Sequence, residues 1–330
     1  MLDSKLVDRY NRNLNYLRIS ITDRCNLKCI YCVPHNLIPK LPHKDILRYE
    51  EILRIVKIGV RLGISKVRVT GGEPLVRKGV FNFLDQLSKI EGLSDISLTT
   101  NGVLLKDSLN KIKSTGINRI NISVDTLNRK KFSKITGHDY FDQIWEGIEQ
   151  ANKMGFNPIK LNVVPLKGIN DDELIDIARL SFTYPFHIRF IEYMPIGANQ
   201  IKTDGHLLAP EIKERINPLG KLIPVVKSLN DGPAERFKFE GAIGEIGFIR
   251  PISRHFCHTC NRLRLSASGQ LKPCLLSDNQ EDFKSLLRKG CLDNELADTF
   301  LKAVRKKPSE HNLSAGHSPG ILDQMCAIGG

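Results

Sequence analysis

The chain has 330 residues, 41% hydrophobic and 26% charged, an ordinary globular composition. Lys and Arg outnumber Asp and Glu by 49 to 36, and the formal charge of +13 fits either a basic surface or a polyanionic partner. No stretch approaches the ~20 apolar residues of a membrane span, and the charged start MLDSKLVDRYNRN has no apolar signal region, so a cytoplasmic protein is expected.

The first two thirds alternate strand and helix signals. Residues 17–22 (LRISIT) read as a short apolar strand running into Cys25. Residues 49–63 carry Ile52, Ile55, Val56 and Val60 at helical spacing and stop at Gly63. Strand 66–70 ends in Gly71-Gly72-Glu73-Pro74. Helix 80–90, strand 96–100, helix 104–114, strand 119–124, helix 140–154, strand 158–164, helix 171–181 and strand 186–192 follow. Such serial alternation predicts an α/β protein whose parallel strands are joined by right-handed crossovers, with ligands at the C-terminal strand ends. About six strands are too few for a closed barrel of ~250 residues, so an incomplete barrel is expected over 1–195. A smaller C-terminal domain is expected over 196–330. There 196–210 reads as loop, 211–216 as helix, 246–249 as strand, 266–269 as a hairpin turn and 294–304 as helix. The basic run 302–307 reads as a solvated helix end, and 311–330 as an irregular tail.

Eight cysteines in a chain without signs of secretion point to metal sites rather than disulfides. Cys25, Cys29 and Cys32 follow C-x3-C-x2-C, and Cys257, Cys260 and Cys274 follow C-x2-C-x13-C. Cys291 and Cys326 are left over and read as small buried hydrophobes. Three thiolates just after a strand suit a 4Fe–4S cluster with one open iron better than a four-ligand structural zinc. His35 is the nearest other donor. At the second triad, His255 and His258 keep a zinc ribbon as an alternative. Arg262 and Arg264 alternate with Leu263 and Leu265, so on a strand both guanidiniums point to one face. Beside a metal centre they form an anion clamp; the plain alternative is a salt-bridged surface strand. Arg68 and Lys160 also sit among apolar strand residues. Either they meet an anionic ligand, or they pair with Glu73 or Glu192. The terminal Gly329-Gly330 reads as a frayed end, a ubiquitin-like terminus, or a side-chain-free segment able to thread a narrow site.

The first triad, with Tyr31 before its last cysteine and Gly71-Gly72-Glu73-Pro74 some 40 residues on, resembles the radical SAM superfamily. A longer set resembles one family within it, the GTP 3′,8-cyclases of molybdenum cofactor biosynthesis. The set comprises LRISITDRCNLKCIYC (17–32), VRVTGGEPLVRK (67–78), LTTNG (98–102), INRINISVDTL (117–127), KLNVV (160–164), KGIND (167–171), IRFIEYMPIG (188–197), FCHTCNRLRLSASGQLKPCL (256–275) and the terminal IGG.

This resemblance implies an incomplete (βα)6 TIM-like radical SAM barrel with a C-terminal iron–sulfur and substrate-binding domain. It implies a lyase that cyclises GTP by S-adenosylmethionine (SAM) radical chemistry, the first step of molybdenum cofactor biosynthesis. Two 4Fe–4S clusters are implied, one on Cys25, Cys29 and Cys32, the other on Cys257, Cys260 and Cys274. SAM would lie against Tyr31, Gly72, Ser123 and Met194. GTP would lie against Arg18, Arg68, Thr99, Lys160, Arg262, Leu263 and Arg264. Arg262, Arg264 and the Gly329-Gly330 tail would assist catalysis. Implied partners are a one-electron donor of the flavodoxin or ferredoxin type and a downstream cyclic pyranopterin monophosphate synthase. A monomer or homodimer without nucleic acid or membrane is expected. Two stretches depart from the family pattern: Tyr10-Asn11-Arg12 stands where aromatic-Gly-Arg is common, and Met325-Cys326-Ala327 where Met-Ser-x is common. The alternatives are another twin-cluster radical SAM enzyme and a non-enzymatic metal-ribbon protein binding nucleic acid.

Overall fold

A computed structural model describes residues 5–32, 40–196, 206–226, 232–313 and 325–329. Six strands, β1 (Tyr16–Ser20), β2 (Lys66–Thr70), β3 (Asp95–Thr100), β4 (Arg119–Ser123), β5 (Ile159–Val163) and β6 (His187–Ile191), lie side by side in chain order and parallel. They alternate with helices α1 (Tyr49–Arg61), α2 (Val80–Ser88), α3 (Leu105–Ser114), α4 (Arg129–Thr136), α5 (Phe141–Lys153) and α6 (Leu174–Thr183). One face of the sheet carries Leu17, Ile19, Val67, Val69, Leu98, Ile120, Ile122 and Leu161, all buried in one large core with the helices' apolar stripes. This is the (βα)6 arrangement that the alternation predicts.

The sequence reading omits α4. Only Phe132, Ile135 and Thr136 are buried in it, too few for a periodic signal. What makes the helix is its ends: the Asn128 side chain accepts from the Lys130 and Lys131 N–H groups, and Gly137 closes it in the left-handed conformation.

Six strands follow in the second part: β7 (Leu222–Pro224), β8 (Glu235–Phe239), β9 (Glu245–Ile249), β10 (Arg262–Leu265), β11 (Gln270–Lys272) and β12 (Glu281–Asp282). They join the same sheet, whose order is β12-β11-β10-β1-β2-β3-β4-β5-β6-β9-β8-β7. β9 adds to β6 and β10 adds to β1, both parallel. Eight parallel strands therefore lie in a row, but β9 and β10 do not pair with each other, so the barrel stays open. The sheet is continuous across the 195/196 boundary. β10 and β11 form the hairpin expected around 266–269.

Helices α7 (Ala209–Ile216), α8 (Phe283–Arg288), α9 (Asp293–Arg305) and α10 (Met325–Ile328) complete the described chain. A small second apolar cluster, Ile196, Ile252, Leu276, Leu313 and Ile328, seats the C-terminal segment. The basic run at the end of α9 corrects one expectation. Lys302, Arg305 and Lys306 are exposed, but Lys307 is only 2% exposed, because the chain turns inward there toward the second cysteine triad. Among the described residues no helix is long and apolar enough to cross a membrane.

The N-terminal departure has a local explanation. Asn11 has φ +59°, the left-handed conformation that asparagine tolerates better than most side chains. The turn is closed by Asp8, whose Oδ1 accepts from the Tyr10 and Arg12 N–H groups, both at 2.9 Å. Asn thus does the conformational work of the commoner Gly and leaves Arg12 aimed inward.

Candidate active site

The second face of the sheet is unusual for a parallel barrel, whose interior is ordinarily filled with branched apolar side chains. Here Arg18, Arg68, Thr99, Asn162, Arg189, Arg262 and Arg264 line a cavity of about 270 Å³. All six triad cysteines line it too: the first triad from the loop after β1, the second from the segments flanking the β10–β11 hairpin. Tyr31, Gly72, Ser123 and Met194 are also in its wall. Two stretches more than 220 residues apart in the chain meet here because β10 pairs directly with β1.

Two predicted site residues fall elsewhere. Lys160 lines a small neighbouring pocket with His187, Arg236 and Glu245, and Arg189 belongs to both spaces. Leu263 is turned the other way: it is fully buried in the apolar core between the inward-facing Arg262 and Arg264, as strand alternation requires. Its side chain therefore makes no wall of the cavity. Gly330 lies outside the described residues. Gly329 is present, and its carbonyl accepts from Arg18 Nη2 (3.2 Å) and Arg264 Nη1 (2.9 Å).

Around the first triad the chain is held by short polar links. The Gly72 N–H donates to Thr22 O (2.7 Å) and the Glu73 N–H to Arg24 O (2.8 Å). A Cβ on Gly72 would lie 2.4 Å from Arg24 O, so no larger residue fits between the β2 end and the cysteine loop. Glu73 is fully buried, and its carboxylate accepts from Leu75 N, Thr100 Oγ1 and Asn101 N. Burial still raises its pKa to about 7. Tyr31 Oη donates to Asp125 Oδ2 (2.6 Å), and burial raises Asp125 to about 6. Asn101 Nδ2 lies 3.6 Å from Cys25 Sγ. Cys326 on α10 corrects its reading as a plain hydrophobe: it is buried, but it lines the cavity and hydrogen-bonds with Cys32. Cys291 lies in the main core.

At the second triad burial raises Cys257 as it raises the first-triad thiols, but Cys260 goes the other way. Burial would raise the Cys260 thiol, but Arg262 and Lys307 outweigh it and bring its pKa down to about 6. Arg262 also stacks over Phe256, 4.9 Å from the ring centre. Arg12 braces the segment: Nη1 donates to Cys257 O (2.7 Å) and Ser309 O (3.0 Å), Nη2 to Pro308 O (2.6 Å), and Nε to Asp8 (2.6 Å). The zinc alternative finds a partial counterpart. His255, Cys257 and His311 bring their donor atoms within 4.8 Å of one another. That group uses one cysteine of the triad and does not include His258.

The expected salt bridges of Arg68 and Lys160 to Glu73 or Glu192 are not found among the described residues. Glu192 accepts from Ala209 N, Ile252 N, Ser253 N and Ser253 Oγ, and Glu73 is occupied as described. Neither reaches Arg68 or Lys160, and among the described residues neither cation forms an ion pair. Arg68 Nε donates to Ser97 Oγ at 3.2 Å. Burial, then Arg189, Arg119, Arg68 and Lys66, lowers Lys160 to about 6. Burial lowers Arg189 to about 9. Tyr16 Oη, Thr99 Oγ1, Asn162 Oδ1 and Arg189 Nε are buried without a hydrogen-bond partner. A buried set of like charges and orphaned polar atoms is costly unless an anionic, hydrogen-bonding ligand fills it. The two three-thiol sets fit iron–sulfur clusters that each keep one iron open to a ligand from this cavity.

Arg189 was not singled out from sequence, although it stands between Ile188 and Phe190 just as Arg68 stands between Val67 and Val69. The same argument finds both. Arg12 and Lys307 carried no such signal, because each lies in a polar run.

Residues 19–181 match the family described as the radical SAM superfamily, and residues 186–313 match Molybdenum Cofactor Synthesis C. The chain is 52% identical to a GTP 3′,8-cyclase of Thermodesulfovibrio yellowstonii, over 98% of this chain and 99% of that one. It is 47% identical to a GTP 3′,8-cyclase of Moorella thermoacetica, over 96% and 99%. Among solved structures, Streptococcus suis SuiB bound to S-adenosylmethionine superposes with a TM-score of 0.63 at 16% identity, over 90% of this chain and 69% of that one. That last likeness is one of fold.

Proposed function

Because the chain belongs to the radical SAM superfamily and, within it, to the GTP 3′,8-cyclases, we propose that its cavity is a single reaction chamber with a cluster at each end and GTP held between them. The activity is the SAM-dependent radical cyclisation of GTP to 3′,8-cyclo-7,8-dihydroguanosine 5′-triphosphate, the first step of molybdenum cofactor biosynthesis. The observation that carries the chamber reading is that six cysteines from both ends of the chain and five arginines, Arg18, Arg68, Arg189, Arg262 and Arg264, line one cavity.

In this reading Cys25, Cys29 and Cys32 hold the first cluster, which when bound supplies the electron that cleaves SAM to methionine and a 5′-deoxyadenosyl radical. Tyr31, Gly72, Ser123 and Met194 place SAM so that its 5′ carbon meets C3′ of GTP. Cys257, Cys260 and Cys274 hold the second cluster at the guanine end. Arg18, Arg68, Thr99, Arg189, Arg262 and Arg264 hold ribose and phosphates, and Lys160 acts on them from the adjoining pocket that shares Arg189. Their work is orientation and charge neutralisation in a space from which water is excluded. The hydrogen atom of C3′–H would pass to the 5′ carbon of the adenosyl group to give 5′-deoxyadenosine, the C3′–C8 bond would form as the C8=N7 π bond opens, and one further electron with a proton at N7 would complete the product. The segment 1–195 carries SAM chemistry, and 196–330 supplies the second cluster and the tail. A flavodoxin- or ferredoxin-type protein supplies electrons, a cyclic pyranopterin monophosphate synthase takes the product, and the reactions run in the cytoplasm, with the enzyme a monomer or homodimer.

Two results test the substrate end. Arg262→Ala is expected to lower product formation ~100-fold, the scale of removing one partner of a buried charge contact. SAM cleavage without GTP should persist. Equal loss of both, with iron content unchanged, contradicts the role given to Arg262.

The second result concerns pH. Burial and the surrounding cations push Lys160 down to about 6, which favours its neutral form at pH 7.5. A triphosphate raises that pKa, so binding takes up a proton, and affinity falls as pH rises from 6 toward the raised value. Calorimetry of GTP binding at pH 7.5, in buffers of different ionisation heat, should show proton uptake that Lys160→Met abolishes. Identical uptake in the variant contradicts the assignment.

A further inference from the structure

We propose that Lys307 is a positioning residue of the second cysteine site, and that its fixed charge holds a cluster there at a higher reduction potential than the cluster on the first triad. This rests on the reading that both triads carry clusters. The Lys307 ammonium is buried at the floor of the second site. Nζ lies 3.6 Å from Cys260 Sγ, 2.9 Å from Arg262 O and 2.6 Å from Pro273 O. Its three donors are thereby used, two on neutral carbonyls and one on sulfur. Among the described residues no carboxylate pairs with it.

A buried ammonium without a carboxylate needs negative charge close by, and among the described residues the thiolates of Cys260 and Cys274 are the anions that reach it. The same three contacts tie together the segments bearing Cys260 and Cys274, so the cation also fixes the spacing between two of the three ligands. Lys307 therefore acts on the site both as a charge and as a clasp.

The first triad is built the other way. The sulfur of Cys25 receives hydrogen bonds from the Leu27 N–H (3.4 Å) and from the neutral Asn101 amide (3.6 Å). The buried acids Glu73 and Asp125 line or adjoin its loop. Among the described residues no ammonium or guanidinium hydrogen-bonds to a first-triad sulfur. Cluster potentials follow net charge and hydrogen bonding at the sulfurs. A cation at the sulfur favours the more negative, reduced state, and nearby carboxylates disfavour it. Two clusters in one cavity are thus poised differently by the chain itself: the first as the stronger reductant, the second as the place where an electron rests more easily.

The test is a redox titration followed by electron paramagnetic resonance on full-length protein. Two backgrounds separate the sites: Cys25, Cys29 and Cys32 all replaced by Ala, leaving the second cluster, and Cys257, Cys260 and Cys274 all replaced by Ala, leaving the first. Iron analysis comes first. A chain without its first triad that binds no iron contradicts the cluster reading itself and takes this inference with it. With iron in both, the second cluster is expected to titrate at the higher potential, and an equal or lower value overturns the proposal. In the background that keeps the second cluster, Lys307→Met is expected to lower its potential and Lys307→Arg to restore it. An unchanged potential in Lys307→Met, or an equal drop in Met and Arg variants, removes the charge from the explanation. If Lys307→Met fails to hold iron, the comparison of the two wild-type sites still decides.

Discussion

Replacing Gly329 by alanine is expected to lower formation of cyclised GTP ~100-fold or more, with both clusters bound and SAM still cleaved. Gly329 has φ +77°, and a Cβ there would lie 2.4 Å from Thr70 Cγ2. Neither the conformation nor the space admits a side chain, so the carbonyl must leave its place between Arg18 and Arg264. Those arginines are register partners on adjacent strands, and the carbonyl is the acceptor they share. Moving it by even ~1 Å misplaces the groups that orient the substrate, an error on the scale of 10²-fold in rate. Deleting Gly329-Gly330 should have the same signature. Anaerobic product assays beside counts of 5′-deoxyadenosine read the two quantities separately. Full product from either variant takes the tail out of the mechanism. Loss of SAM cleavage as well shows that the tail serves the first cluster instead.

The second large effect is expected at Arg12. Its guanidinium holds a buried carboxylate, the carbonyl of the triad residue Cys257, and the carbonyls of Pro308 and Ser309. Arg12→Ala leaves Asp8 charged and unpaired in the interior, a loss of about 3–5 kcal/mol. The Cys257 segment also loses its link to the chain around 308–309, so iron at the second site should fall to about half or less of the wild-type amount, with the first site filled. Denaturant unfolding and iron analysis in the chain that retains only the second triad measure both. Arg12→Lys, which keeps the charge but not the planar fork, should fall between. Wild-type stability and full iron in Arg12→Ala contradict the bracing role.

Much of the architecture was legible because strand alternation is a local signal. The first six strands sit within a residue or two of their expected places, and Arg68, Arg262 and Arg264 face the cavity because their neighbours are apolar. What was not legible depends on long-range pairing. Nothing in 246–249 or 262–265 says that these strands extend opposite edges of the first sheet, and only that pairing sets the two triads in one cavity. Lys307 illustrates the same limit. In sequence it ends a basic run and reads as solvated; in the fold it is the buried partner of Cys260. Leu263 erred in the other direction, since a residue between two site arginines on a strand must point away from the site. Cys326 depends on where a short C-terminal helix is seated, which no local pattern records.

The central claim is that SAM and GTP react with each other in one chamber. Its most direct test is an anaerobic reaction of reconstituted protein with dithionite, SAM and GTP deuterated at C3′, read by mass spectrometry. Deuterium in 5′-deoxyadenosine together with a cyclised GTP product is the predicted result. Undeuterated 5′-deoxyadenosine with unchanged GTP, from protein whose two clusters are confirmed by iron and sulfide analysis, would contradict it.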